Sequence, residues 1–277
     1  MLRNISLLLL VPVLFSNCSY AQNDPFAVMS FNVRFDNPDD GKHAWPNRKA
    51  HVVDVIQTYE ADIIGVQEAE HHQLTFMDGQ LDDHTWFGKG RSDGKKDGEF
   101  TAIFYNKNRF KLLENETFWC SKTPDQPSKD WDAAFPRTIT RGLFRDIETD
   151  KKFIIYNTHF DHVGETARQK CAKMLLQNIS ELHQNEEKLP GLVTGDFNAT
   201  QDSKPYKILT GQAEFDTPAK LYNTQERSKY PHEGPEGTFT GFNAENVREK
   251  PIDYIFSTGN ITVHSHATID DIYDGIL

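Results

Sequence analysis

Four polar positions in this chain follow directly on apolar, strand-like runs: Asn32, Glu68, the Asn157-Thr158-His159 run, and Asp196 with Asn198. A carboxylate or amide placed straight after a buried strand stands on the rim of a sheet, where loops can build a site. One such residue would be ordinary turn chemistry; four, each behind an apolar run, form a set. Their types suit metal-assisted attack on a phosphorus centre. Glu68 and Asn32 offer the oxygen donors that a hard cation takes, and Mg²⁺, which dehydrates reluctantly, needs few of them from the protein. Mn²⁺ or Ca²⁺ are the alternatives. Such a cation polarises a phosphoryl oxygen and neutralises charge on the leaving oxygen. Asp196 and Asn198, two apart on a tight turn, can hold the attacking water. His159 can donate a hydrogen bond to the developing negative charge.

The elements that must position these residues can be read from the hydrophobic pattern. Phe26 to Val33 alternates as a strand, and Pro46-Asn47-Arg48 opens a helix with Val52, Val53, Val55 and Ile56 inward. Asp62 to Gln67 is a short buried strand ending at Glu68. Phe100 to Asn106 and Arg109 to Trp119 are strands joined at Lys107-Asn108, and a long loop spans Ser121 to Phe135. Gly142 to Ile147 and Lys152 to Thr158 pair around Glu148-Thr149-Asp150. Glu165 to Leu182 is the longest amphipathic helix, and Leu192 to Thr194 a strand ending at Gly195-Asp196-Phe197-Asn198. After a Gly- and Pro-rich loop, Tyr230 to Gly237, the last strands are Ile252 to Ser257 and Ile261 to Ile269. Strands first, in the middle and last, with helices between and no dividing linker, predict one α/β domain over residues 22–277. Asp36 to Gly41 is acid-rich but lacks EF-hand spacing and reads as a plain turn. His71 and His72 read as solvated residues at a helix start.

The first residues stand apart. A short basic start is followed by the apolar run Leu7 to Phe15, too short for a bilayer span of about 20 residues and suited to a signal peptide. Ser19 and Ala21 place small residues for cleavage after Ala21, which predicts a signal peptide over residues 1–21 and an exported, periplasmic or extracellular protein without a stable membrane span. Cys18 offers the rival reading of a lipid anchor. Removing residues 1–21 takes away Arg3 and no acid, so the formal charge goes from -11 to -12. That charge disfavours tracking along nucleic acid, which relies on basic patches. Cys120 and Cys171 read first as small core residues; export permits a disulfide between them.

The segments Met29-Ser-Phe-Asn-Val-Arg34, Gln67-Glu68, Asn157-Thr-His159, Gly195-Asp-Phe-Asn198 and Ile252-Asp-Tyr254 resemble, in order, the endonuclease/exonuclease/phosphatase superfamily, and the likeness runs from about Phe26 to the C-terminus. It implies a four-layer α/β sandwich, two face-to-face mixed β-sheets flanked by helices. It also implies that Asn32 and Glu68 bind the metal, that Asp196 orients or deprotonates the water and that Asn198 supports the transition state. His159 would contact the phosphoryl group with Glu99 holding its imidazole, and Asp253 would orient a second histidine. The family closes on a Ser-Asp-His run before its last core strand. This sequence stops at Tyr273-Asp-Gly-Ile-Leu277, and His264 and His266 match the strand before that run. The expectation is therefore a C-terminally incomplete domain with the last core strand and its acid-histidine pair missing.

Each residue also has a plainer reading. Asp196 and Asn198 fit an Asx turn, Glu99 a solvated strand start and His159 a core histidine. Asp253 sits in an apolar run, where an unpaired carboxylate is costly, so a role in a site accounts for it better. Arg34, Arg137, Asp161, His162 and Arg168 are candidates to grip a substrate phosphate or leaving group, with surface ion pairs as the alternative. Three functions follow: a metal-dependent phosphodiesterase or phosphatase for a small or lipid-linked phosphoester, a secreted nuclease, or an impaired homologue that only binds. No protein partner is predicted.

Overall fold

The structure, a computed structural model, describes residues 25–185, 189–243, 249–259 and 261–273. The expected signal peptide with Cys18, and the last four residues, lie outside the described residues. Strands β1 (Val28–Asn32), β2 (Ile63–Gln67), β3 (His84–Phe87) and β4 (Ala102–Asn106) form a sheet in the order β1-β2-β4-β3. Strands β5 (Phe110–Trp119), β6 (Thr138–Asp146), β7 (Lys152–His159), β8 (Gly191–Asp196), β9 (Tyr222–Asn223) and β10 (Asp253–Ser257) form a second, in the order β5-β6-β7-β8-β10-β9. β1 and β2 pair in parallel, as do β7 and β8; the other pairs are antiparallel, so both sheets are mixed.

Period-2 alternation in these strands sorts side chains into three apolar layers. Ile63 and Ile103 from the first sheet meet Phe144, Phe153, Ile155 and Leu192 from the second, which is the core between the sheets. Their sequence neighbours point the other way. Ile64 and Phe104 pack under α1 (Trp45–Thr58) and α2 (His71–Asp78) through Val52, Val53, Ile56, Leu74 and Met77. Leu143, Ile154 and Val193 pack under α3 (Glu165–Asn185) and α4 (Lys204–Leu209), through Cys171, Ala172, Leu175, Leu176, Ile179, Ile208 and Leu209. The result is the expected four-layer α/β sandwich. A fifth, short helix, α5 (Thr224–Arg227), follows β9.

One polar residue pins the sheets together. The Asn157 amide on β7 donates to the Val66 and Ala102 carbonyls of the opposite sheet, and its Oδ1 accepts from Gln67 Nε2 at 2.6 Å and Thr194 Oγ1 at 3.1 Å. With its amide fully paired, a buried Asn fixes relative position without leaving an unsatisfied group. On the helix side of the second sheet, Cys120 and Cys171 are buried and joined by a disulfide, Cα atoms 5.1 Å apart.

The register brings the expected polar residues to one end of both sheets. Asn32 pairs with Gln67, His159 with Asp196, and Asp196 with Asp253 across the antiparallel β10. Glu99 precedes β4 and Arg137 precedes β6, and both of those strands start at the same rim. Two local readings are corrected. Ile261 to Ile269 alternates but is not a strand; it makes only isolated bridges, Val263 with Ser228 and Ala267 with Glu233. Its exposed, polar alternate residues have no sheet face to cover, and Ile269 packs instead on the α1/α2 side. The turn at Asp36 to Gly41 is part of a 3₁₀ segment, Pro38–His43, in which Asn37 accepts from the Asp39 N–H.

Candidate active site

Three ligand atoms, one each from Glu68, His159 and Asp196, lie within 4.8 Å of one another at this rim. Asn32 bridges the two acids, its Nδ2 donating to Glu68 Oε1 at 2.9 Å and Asp196 Oδ2 at 3.0 Å. Asp196 Oδ1 accepts from the Asn198 N–H, and Asn198 Nδ2 lies 3.1 Å from His159 Nε2 while donating to the Phe160 carbonyl. An amide nitrogen can only donate, so His159 Nε2 accepts and its proton sits on Nδ1, 3.9 Å from Glu99 Oε2. Arg34, Glu68 and Asn198 all hold positive φ, a conformation that is uncommon outside glycine and gathers at functional turns.

The acids are crowded. Burial lifts the Asp196 carboxyl to about 6. Burial, reinforced by Asp196 directly opposite, holds Asp253 well above the usual carboxylate range. The Asp253 carboxylate has Thr238 as its partner, whose Oγ donates at 2.6 Å. Burial also lifts Glu99 to about 7, against the opposing pull of Arg91, which grips it with two bonds of 2.6 and 2.8 Å. His159 is held uncharged, first by burial and then by Arg137 and Arg91. Oxygen donors in a negatively charged cluster are the donor set that a hard divalent cation fits. Glu68 and Asp196 would hold it, whereas the Asn32 oxygen, expected from sequence to bind the metal, accepts from the Arg34 N–H at 3.0 Å.

Beside the acids lies a cationic slot lined by Arg91, Glu99, Arg137 and His159. Arg137 is buried and ion-paired with Asp161 at 3.2 Å, and its Nη2 donates to His162 Nδ1 at 3.0 Å. Its Nη1 is buried with no hydrogen-bond partner among the described residues. Although buried, Asp161 is held well below the carboxylate range by the Gly164, Ala134 and Val163 N–H groups and then by Arg137. Arg168 donates to the Asp161 carbonyl at 2.7 Å and so braces this loop, while Arg34 pairs with Asp40 and sits 3.8 Å from Glu68.

The structure thus brings Asn32, Glu68, Glu99, His159, Asp196, Asn198, Asp253, Arg34 and Arg137 to one rim. It places Arg168 behind it. His264 and His266 lie apart from it, Val263 bridging to Ser228 and His266 bonded to His232. Sequence reasoning missed Arg91 and Thr238. Arg91 lies in a charged loop that looks solvated; Gly90, Gly94 and Gly98 are the one hint that this loop folds back, putting the Arg91 N–H on the Glu99 carbonyl.

Comparison with known proteins bears out the expected superfamily and fold. The chain matches the Endonuclease/Exonuclease/phosphatase family over residues 29–272. Among solved structures it is similar to a mannosyl-6-phosphatase of Bacteroides thetaiotaomicron, 34% identical with a TM-score of 0.84, covering 90% of this chain and 91% of that one. Among curated proteins it is 32% identical to an uncharacterized protein of Acanthamoeba polyphaga mimivirus, over 68% of this chain and 70% of that protein. It is also 25% identical to mouse nocturnin over 78% of this chain, spanning about half (53%) of that protein's length.

Proposed function

This chain belongs to the endonuclease/exonuclease/phosphatase family, whose members hydrolyse phosphoesters, and from that premise we propose that it is an exported, divalent-metal-dependent phosphatase for a small sugar phosphate. One observation carries the reading. The cluster of Glu68, His159 and Asp196 shares its histidine with the slot lined by Arg137, whose buried Nη1 has no hydrogen-bond partner among the described residues. A site that wants a cation on one side and an anion on the other matches a phosphoryl group bound through a metal.

Glu68 and Asp196 would hold a divalent cation, which would supply Lewis-acid polarisation of the phosphoryl group. Asn32 holds the two carboxylates in register. Asp196, whose Oδ1 is fixed by the Asn198 N–H, is placed to orient and deprotonate water at this rim. Arg137 Nη1 faces the phosphoryl oxygens as charge builds on them, while Asn198, its donors spent on Asp196, His159 and the Phe160 carbonyl, holds those groups in place. His159, uncharged and steadied by Glu99, which Arg91 clamps, contacts the phosphoryl group from the other side.

The sugar-phosphate class is favoured by the mannosyl-6-phosphatase likeness, which extends over nine-tenths of the chain, and by the acidic surface. Export is supported by the leader pattern and by the Cys120–Cys171 disulfide, a bond that persists in oxidising compartments. Among the described residues, no helix is long and apolar enough to cross a membrane. The test is phosphate release from mannose 6-phosphate and p-nitrophenyl phosphate, with bis-p-nitrophenyl phosphate and plasmid DNA alongside, in Mg²⁺ and in chelator. Activity on the monoesters should need the metal and fall about 100-fold or more in Glu68→Ala. Turnover that survives both treatments would overturn the metal reading. DNA cleavage that weakens steeply with salt would favour the nuclease.

A further inference from the structure

Taking phosphoester hydrolysis at this rim as given, we propose that Phe135 is the leaving-group platform of the site and selects phosphomonoesters whose leaving group is a pyranose. Phe135 is 48% exposed. Single exposed apolar residues are common on protein surfaces and need no function. Ile147, 54% exposed in a hairpin turn, is of that kind. Phe135 differs in being contacted by two groups that belong to the site. The His162 ring stacks on it, centroids 5.9 Å apart and planes 20° off parallel, and the Arg91 guanidinium carbon lies 4.9 Å from its centroid.

Each brace leads back to the reacting centre by one step. Arg91 is the residue that clamps Glu99 beside His159, and Arg137, with its open Nη1, holds His162 Nδ1. The Phe135 N–H is itself tied to Asp161 Oδ2 at 3.3 Å, and Pro136 and Arg137, the next two residues, line the slot. The phenyl ring is therefore held in a fixed orientation next in sequence to the slot-lining Pro136 and Arg137. A rigid aromatic face adds contact area at little entropic cost.

The chemistry of the brace narrows the occupant. Arg137 can only donate, so His162 Nδ1 accepts and the neutral ring keeps its proton on Nε2, away from Arg137. The platform thus offers an apolar face edged by an N–H donor. A pyranose fits both parts, its axial C–H face lying on the ring and its hydroxyl oxygens accepting at the edge. An acyclic alcohol could accept at the edge but lacks the flat C–H face that packs on the ring.

The experiment compares Phe135→Ala and Phe135→Trp with wild type on mannose 6-phosphate, glycerol 3-phosphate and AMP, all with Mg²⁺. Titration calorimetry of mannose 6-phosphate and inorganic phosphate is run in parallel. Phe135→Ala should lower kcat/KM for mannose 6-phosphate about tenfold, mostly through KM, and leave glycerol 3-phosphate within about twofold. Phe135→Trp should keep the sugar preference. In calorimetry, Phe135→Ala should weaken mannose 6-phosphate and not inorganic phosphate. Equal losses on all three esters, no loss on any, or a wild-type preference for AMP would overturn the platform. Wild type that hydrolyses none of these esters would sink the phosphatase reading alone. Calorimetry then judges the platform, and absent or Phe135-independent binding of mannose 6-phosphate overturns it.

Discussion

Asp196 and Asp253 occupy facing positions on β8 and β10, both deprived of water, and like charges directly opposite in a sheet repel. Their folded values lie above the unfolded one, so the native state keeps protons that the unfolded chain has released. Stability of the metal-free protein should fall as pH rises from about 4 through about 6 and beyond, because the slope follows the protons bound unfolded minus folded. Asp253→Asn removes one charge, and its side-chain oxygen can still accept from Thr238. Without metal, this variant should melt several degrees above wild type at pH 7 and level with it near pH 4, at roughly 2–4 °C per kcal/mol. Equal melting temperatures at pH 7 would show that the pair is not repelling. Saturating Mg²⁺ should raise wild type more than Asp253→Asn, since a bound cation relieves the same repulsion.

Among the elements, β2 and β8 approach most closely at Gly65, where a Cβ would lie 2.0 Å from Thr194 Oγ1 and 2.7 Å from Asn157 Oδ1. Gly65→Ala must therefore push the sheets apart or break the Asn157 network. A loss of about 2–3 kcal/mol in urea unfolding is expected. Asn157→Ala should cost a similar amount by leaving the Val66 and Ala102 carbonyls without their donor. An unfolding midpoint unchanged in both variants would refute the pin. These strands were readable from sequence because their faces alternate strictly between two buried layers, Ile63 against Ile64 and Ile154 against Ile155. β3 was not: His84 to Phe87 is four partly buried residues whose pairing with β4 is a long-range event. Ile261 to Ile269 shows the converse, alternation without a sheet to receive it. The candidate site was legible where residues close an apolar run, as at Glu68, His159 and Asp196. Arg91, Thr238 and the platform at Phe135 were not, because loops bring them in and loop sequence carries no period.

Across the whole molecule, the Cys120–Cys171 disulfide closes a ring with a sequence separation of 51 residues. The chain-entropy estimate for such a ring is about 4 kcal/mol, so Cys120→Ser with Cys171→Ser should lower the unfolding free energy by roughly that amount. A shift under about 1 kcal/mol would mean that packing alone holds α3 on its sheet.

The residues enclosed by that ring have something in common. Phe135, Arg137, His159, Asp161, His162 and Arg168 fall between the two cysteines, whereas Asn32, Glu68, Asp196 and Asp253 fall outside it. The covalent staple thus encloses most of the residues proposed to grip substrate and leaves out Glu68 and Asp196, which would hold the ion. Reducing that bond would free the segment that carries Phe135, Arg137 and His162 from its covalent tie to α3 and would leave the strand-end acids where they are.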